Sequence, residues 1–210
     1  VCAREGFSIR RMPSDHAGGK WGLRYESAFG QGGNLEIDLN FMFRVPLWPI
    51  REANSFAIGS YGVKGIPVLD IHELAGGKLA ALLARRKARD LFDAHRLLYS
   101  NKLDHGLLRI AFVVYGAMNR KDWRKVSLDD VGLDVREMNR QLIPLLRLSD
   151  AETFEEPSRY GERLVTETRE ALSAVLPMNE GEMRFLDLLL DQGKIEADCL
   201  EVDQQLSQRI

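Results

Sequence analysis

The stretch Asp70-Ile-His-Glu-Leu-Ala-Gly-Gly-Lys78-Leu-Ala-Ala-Leu-Leu-Ala-Arg85-Arg86-Lys-Ala-Arg89-Asp90-Leu-Phe-Asp93-Ala-His-Arg-Leu-Leu98 decides how the chain is read. It opens like a helix: Asp70 stands at the N-cap, Glu73 at the capping-box position, and Leu74, Leu79, Leu82 and Leu83 recur at helical spacing. Lys78 lies four residues after Leu74 and four before Leu82, which predicts a lysine directed toward the packed side. Such a lysine either snorkels, burying its stem and exposing its ammonium, or serves a site. Gly76 and Gly77 precede it, and each costs a helix interior about 1 kcal/mol relative to alanine. Either something approaches that backbone closely, as a phosphate or another structural element would, or the helix is poorly formed there. Between Arg85 and Asp93 the chain gathers Arg85, Arg86, Lys87 and Arg89 with two carboxylates, Asp90 and Asp93. Arg86/Asp90 and Arg89/Asp93 have the spacing of helical ion pairs, which on solvated faces are structural and weak.

Upstream, Leu35, Ile37, Leu39, Phe41 and Phe43 alternate with Glu36, Asp38, Asn40, Met42 and Arg44, the period of a strand with one apolar face. Glu36 and Asp38 then share the opposite face. Gly30-Gln-Gly-Gly33 separates this strand from Leu23-Arg-Tyr-Glu-Ser-Ala-Phe29, so the two form a hairpin across a glycine-rich loop. Paired carboxylates on a sheet suit a divalent metal in phosphoryl transfer, and polar alternation on an exposed face gives the same pattern without one.

The segment from Leu74 to Leu98, in which a lysine is followed by Leu-Ala-Ala-Leu, arginines and then Arg-Asp-Leu-Phe-Asp, resembles the helical signature of the AbiEii/AbiGii-type nucleotidyltransferase toxins, within the DNA polymerase β-like superfamily. The resemblance implies that Lys78 contacts nucleotide phosphates, that Asp93 completes the active site, and that Arg85, Arg89 and Asp90 support phosphate binding. Leu35-Glu-Ile-Asp-Leu-Asn40 resembles the strand carrying the third catalytic acid, which implies that Asp38 is that acid and a Mg²⁺ ligand, with Glu36 as the fallback. The implied reaction is Mg²⁺-dependent transfer of a nucleoside monophosphate from an NTP to an acceptor, RNA and in particular the tRNA 3′ end. The implied partner is a cognate antitoxin in a toxin–antitoxin or phage-defence system. The placement of these residues leads us to expect the Lys78 ammonium within about 4–8 Å of the Asp38 or Asp93 carboxylate, where Coulomb coupling is substantial.

The same resemblance implies an earlier Gly-Ser or Gly-Gly turn followed by two closely spaced acids that bind metal. The 34 residues before Leu35 contain no such motif. Gly59-Ser60 with Asp70-Ile-His72 imitates it after the strand, but His72 replaces the second acid and Gly62, Gly65 and Pro67 forbid the intervening helix. We therefore expect either a fragment that begins after the first half of a catalytic domain or a natural remnant, acting as a binding or regulatory module, that lacks the metal pair.

Around this signature the fold class reads as α+β: residues 1–69 as the β-rich remainder of a nucleotidyltransferase sheet, residues 70–210 as a helical domain. Strands are expected at Phe7–Met12, Phe56–Gly59 and Ile66–Leu69, with Arg51–Asn54 as a loop. Helices are expected at Leu107–Met118, at Asp134–Leu148 with a kink at Pro144, at Tyr160–Leu176, and at Gly181–Leu190 capped by Asn179 with Glu182 as box partner. Asp122–Gly132 reads as a polar connection. With 45 % hydrophobic and 29 % charged residues the 210-residue chain can bury a sizeable core, and a net charge of −2 argues against indiscriminate coating of nucleic acid. No stretch is apolar enough to span a bilayer, and the cytoplasm is the expected compartment. Cys2 and Cys199 have no metal or disulfide spacing, and His16, His72, His95 and His105 are scattered, so no nucleophile triad can be argued.

Overall fold

A computed structural model describes residues 2–13, 18–41, 45–100, 102–146 and 156–210. It is α+β and divides into two compact units, Val1–Pro46 and Leu47–Ile210. In the first, strands β1 (Ser8–Arg11), β2 (Gly18–Glu26) and β3 (Gly32–Asn40) form an antiparallel sheet in that order. The expected hairpin is present, with Leu23 opposite Leu35, Gly22 opposite Glu36 and Lys20 opposite Asp38. Residues 42–44, the end of the expected third strand, and His16 lie outside the described residues. Leu35, Ile37 and Leu39 share one face, each about 40 % exposed, and Leu23 is buried.

The second unit begins with a two-stranded hairpin of β4 (Arg51–Ala53) and β5 (Ile66–Val68). The stretch expected as a loop is thus a strand. Phe56–Gly59, expected as a strand, makes a single bridge between Ile58 and Tyr61 in the connection. Helices α1 (Ile71–Arg85), α2 (Ala88–Ser100), α3 (His105–Ala117), α4 (Val135–Glu137), α5 (Pro157–Leu172), α6 (Glu180–Gln192) and α7 (Gln204–Ser207) follow. The compact units part at 46/47 although the composition shifts near 70, because the Glu73 carboxylate accepts the Leu47 and Trp48 N–H groups at 2.9 and 3.2 Å and ties that segment to α1. Among the described residues no helix is long and apolar enough to cross a membrane.

The core is built on α1 and α3. Leu79, Leu82 and Leu83 are fully buried with Leu91, Leu108, Phe112 and Leu186, and each leucine removed from water contributes about 1.5–3 kcal/mol. Gly76 sits where the two helices cross: a Cβ there would lie 2.7 Å from the Ala111 Cβ and 2.8 Å from its carbonyl carbon. Another helix, not a phosphate, is what the glycine admits. The expected polar connection at 122–132 instead contains two 3₁₀ turns and buries Trp123 against Phe112, with ring centroids 5.2 Å apart. The expected helix at 134–148 is broken into α4, a π-helical turn at Met138–Leu142 and a 3₁₀ turn at Ile143–Leu145, where Pro144 has no N–H to continue the ladder. Residues 147–148 lie outside the described residues. Helix α6 starts as read, with Asn179 and Glu182 in a reciprocal capping box. Arg109 on α3 ties the two together by a two-pronged bond to Glu182 at 2.6 and 2.8 Å.

Candidate functional site

Asp70 caps α1 as read, accepting from the His72 N–H at 3.0 Å. Its second partner is the His72 ring, whose Nδ1 lies 2.6 Å away while Nε2 accepts from the Asp104 N–H at 3.0 Å. Burial alone would raise the Asp70 carboxyl, but these bonds and Arg51 hold it below the usual range. The Asp70-Ile-His72 imitation of a metal motif is therefore a helix cap. Glu73 does not close the capping box: its buried carboxylate turns away to Leu47, Trp48 and the Tyr115 hydroxyl at 2.9 Å. Burial, and then the Glu73 carboxylate, push the Tyr115 phenol well above its ordinary value, so it remains a donor.

The helical signature is two helices rather than one. Arg86 ends α1 in the left-handed region, at φ 54° and ψ 40°, donating its N–H to the Leu82 carbonyl at 2.8 Å. Its guanidinium pairs with Asp130, which Lys121 also reaches at 2.8 Å, and these cations with the Ser127 N–H hold the Asp130 carboxyl low against its burial. The expected Arg86/Asp90 pair is replaced by Arg85/Asp90, a two-pronged contact at 2.7 and 3.1 Å that places Asp90 in the first turn of α2. The turn between the helices shifts the register by one residue. Arg89 is exposed and makes no ion pair among the described residues.

Lys78 does not face the core. Its side chain is 46 % exposed on the flank that it shares with Leu74, and its ammonium donates to Asp93 on α2 at 2.6 Å. Such a half-exposed pair contributes about 0–1 kcal/mol to stability. Both line an open cavity of about 570 Å³ whose other described walls are Phe92, Arg96 and Leu97 of α2, Leu145 of the 3₁₀ turn and Leu146 just after it. Arg96 sits over the Phe92 ring, 5.8 Å from its centroid. Arg85, Arg89 and Asp90, expected to bind phosphate, do not line this cavity. Arg96 and Phe92 do, and the sequence reading passed over them. Their signal was the helical spacing that puts Phe92 and Arg96 four residues apart on one face, with Arg96 three residues after Asp93. His95 points elsewhere, to Glu167 on α5 at 2.6 Å, and stacks on Tyr99.

Asp38 lies in the first unit. It and Glu36 flank the Lys20 ammonium at 3.6 and 3.1 Å, and the Glu36 bond with the field of both carboxylates raises the Lys20 pKa. A Mg²⁺ ion needs several oxygen ligands concentrated around one point. Here the two carboxylates share a lysine, and among the described residues no three His, Cys, Asp or Glu side chains gather as a metal set. The described donors do not by themselves fit the ion.

Residues 2–178 match the model of the nucleotidyl transferase AbiEii toxin family, described as a type IV toxin–antitoxin system. Among solved structures, the nucleotidyltransferase toxin MenT4 from Mycobacterium tuberculosis is similar at a TM-score of 0.56 and 18 % identity, over 86 % of this chain and 61 % of that one. That likeness is one of fold, and the present chain spans about three fifths of the neighbour's length. No curated protein matches. With more than four fifths of its length inside the family model, the chain belongs to the AbiEii nucleotidyltransferase toxin family.

Proposed function

We propose that the cavity beside Lys78 and Asp93 receives the triphosphate of an NTP, and that the protein transfers a nucleoside monophosphate from it to an RNA acceptor, the tRNA 3′ end being the leading candidate. The observation that carries this is the Lys78–Asp93 contact of 2.6 Å at an open cavity, inside the family-matched segment. In the reaction an acceptor hydroxyl oxygen bonds to the α-phosphorus, the bond from that phosphorus to the α,β-bridging oxygen breaks, and pyrophosphate leaves with the electron pair of the broken bond. Lys78 offsets the negative charge that builds on the phosphates, and Asp93 positions its ammonium at the cavity. Asp38 is the carboxylate proposed to take the hydroxyl proton, which requires it to leave Lys20. A divalent cation would supply further positive charge against the phosphates, but the described carboxylates do not suffice to hold one, so this chain is expected to bind Mg²⁺ weakly. A cognate antitoxin is the proposed protein partner, and the cytoplasm the proposed compartment.

The Lys20 clasp on Glu36 and Asp38 also favours a second reading, a binding or regulatory module without catalysis. Incubating the complete protein encoded at the native locus with labelled NTPs and tRNA separates the two. Label transfer that is lost in Lys78→Ala supports the enzyme; nucleotide binding without transfer supports the module.

A further inference from the structure

We propose that Arg96 is the group that first captures the anionic end of the ligand, ahead of Lys78. The inference rests on the reading of this cavity as a phosphate site and assigns a residue that neither the signature nor the family resemblance singled out. Among the described residues three charged side chains line the cavity, Lys78, Asp93 and Arg96, which together carry one net positive charge. The Lys78 ammonium is already neutralised by the Asp93 carboxylate in contact with it. Arg96 has no carboxylate partner among the described residues, and its guanidinium lies over the Phe92 ring. Among the described residues the uncompensated charge at the cavity is therefore the Arg96 guanidinium.

The chemistry of that group suits the role. A guanidinium offers two parallel N–H donors to two oxygens of one phosphate, and it is weakly hydrated, so little is lost when an anion replaces water. Packing over Phe92 restricts the side chain without using its donors. Leu97, Leu145 and Leu146 supply an apolar wall beside it. A polyphosphate with an apolar or aromatic body fits that lining. Lys78 enters the contact when the phosphates displace Asp93 from its ammonium, so Asp93 competes with the ligand in the resting state.

The test is calorimetric titration of sodium tripolyphosphate into the 210-residue chain and its variants, each checked for an unchanged thermal melt. Arg96→Gln is expected to weaken binding roughly tenfold to a hundredfold, the effect of losing a charged two-pronged contact. Arg96→Lys keeps the charge but not the fork and should recover part of the affinity. Asp93→Asn frees Lys78 and should tighten binding. Arg184→Gln, an exposed arginine outside the cavity, controls for net charge and should bind as wild type. Wild-type affinity in Arg96→Gln, an equal loss in Arg184→Gln, or no binding by the unmodified chain would each overturn the proposal. In the complete protein, Arg96→Gln should raise KM for the NTP with kcat little changed. Transfer that needs Lys78 and Asp93 but ignores Arg96→Gln leaves the enzyme reading standing and removes this one. Tripolyphosphate binding that needs Arg96, in a protein that transfers no nucleotide, does the reverse.

Discussion

Replacing Gly76 by alanine separates the structural use of the glycine pair from any use in ligand binding. The added methyl would stand 2.7 Å from the Ala111 Cβ, 2.8 Å from its carbonyl carbon and 3.0 Å from its oxygen, all parts of the facing helix that cannot swing aside. Overpacking of this kind costs about 1–3 kcal/mol, and contact with backbone places Gly76→Ala at the upper end. Alanine returns about 1 kcal/mol of helix propensity, leaving a net loss of roughly 1–2 kcal/mol. For a chain of this length that lowers Tm by about 2–8 °C. Gly77→Ala is the matched control: its methyl would meet the Tyr115 ring at 3.5 and 3.7 Å, ordinary contact, so the propensity gain survives and Tm should rise. Thermal melts followed by circular dichroism read both, and tripolyphosphate titration reads the site. If Gly76→Ala melts as wild type but loses tripolyphosphate, the glycine serves a ligand and the account of the α1–α3 crossing is mistaken.

Glu73→Gln keeps the shape but presents an amide NH₂ to one of three donors, the Leu47 and Trp48 N–H groups or the Tyr115 hydroxyl, and should cost about 2–4 kcal/mol in urea unfolding; an unchanged midpoint would contradict the role given to that carboxylate. Asp122 is held down to about 2 from an ordinary 3.8 by the Arg124 side chain and N–H, so its contribution is present above pH 4 and lost as pH falls toward 2. Asp122→Asn should accordingly lower Tm at pH 5 and match wild type near pH 2, and a difference that persists at pH 2 would assign the effect to packing.

Local signals were legible where the chain satisfies itself over a few residues. The Asp70 cap, the Asn179–Glu182 box and the β2–β3 hairpin depend on spacings of two, three or a handful of positions. What escaped is what distant residues impose. Glu73 has the capping-box position but is claimed by Leu47, Trp48 and Tyr115. Arg86 carries no glycine to announce a helix end; its partner, Asp130, stands 44 residues on. That break turned the expected Arg86/Asp90 and Arg89/Asp93 pairs into Arg85/Asp90 and Lys78/Asp93. The candidate site followed the same rule. Lys78 and Asp93 were found through the signature, whereas Arg96 entered only when the cavity joined α1, α2 and the turn at Ile143–Leu145.

The central claim is that the Lys78–Asp93 contact serves chemistry rather than stability, and the most direct measurement pairs nucleotide transfer with thermal stability in Lys78→Ala and Asp93→Ala of the complete protein, with Leu82→Ala as reference. Because the ion pair is half-exposed, both variants should melt within a few degrees of wild type while transfer falls about 10²-fold or more. Leu82, fully buried, should show the opposite pattern, losing about 2–5 kcal/mol of stability with activity per folded molecule retained. A Lys78→Ala protein that unfolds well below wild type yet transfers nucleotide at the full rate per folded molecule would contradict the claim and reduce the pair to a structural contact.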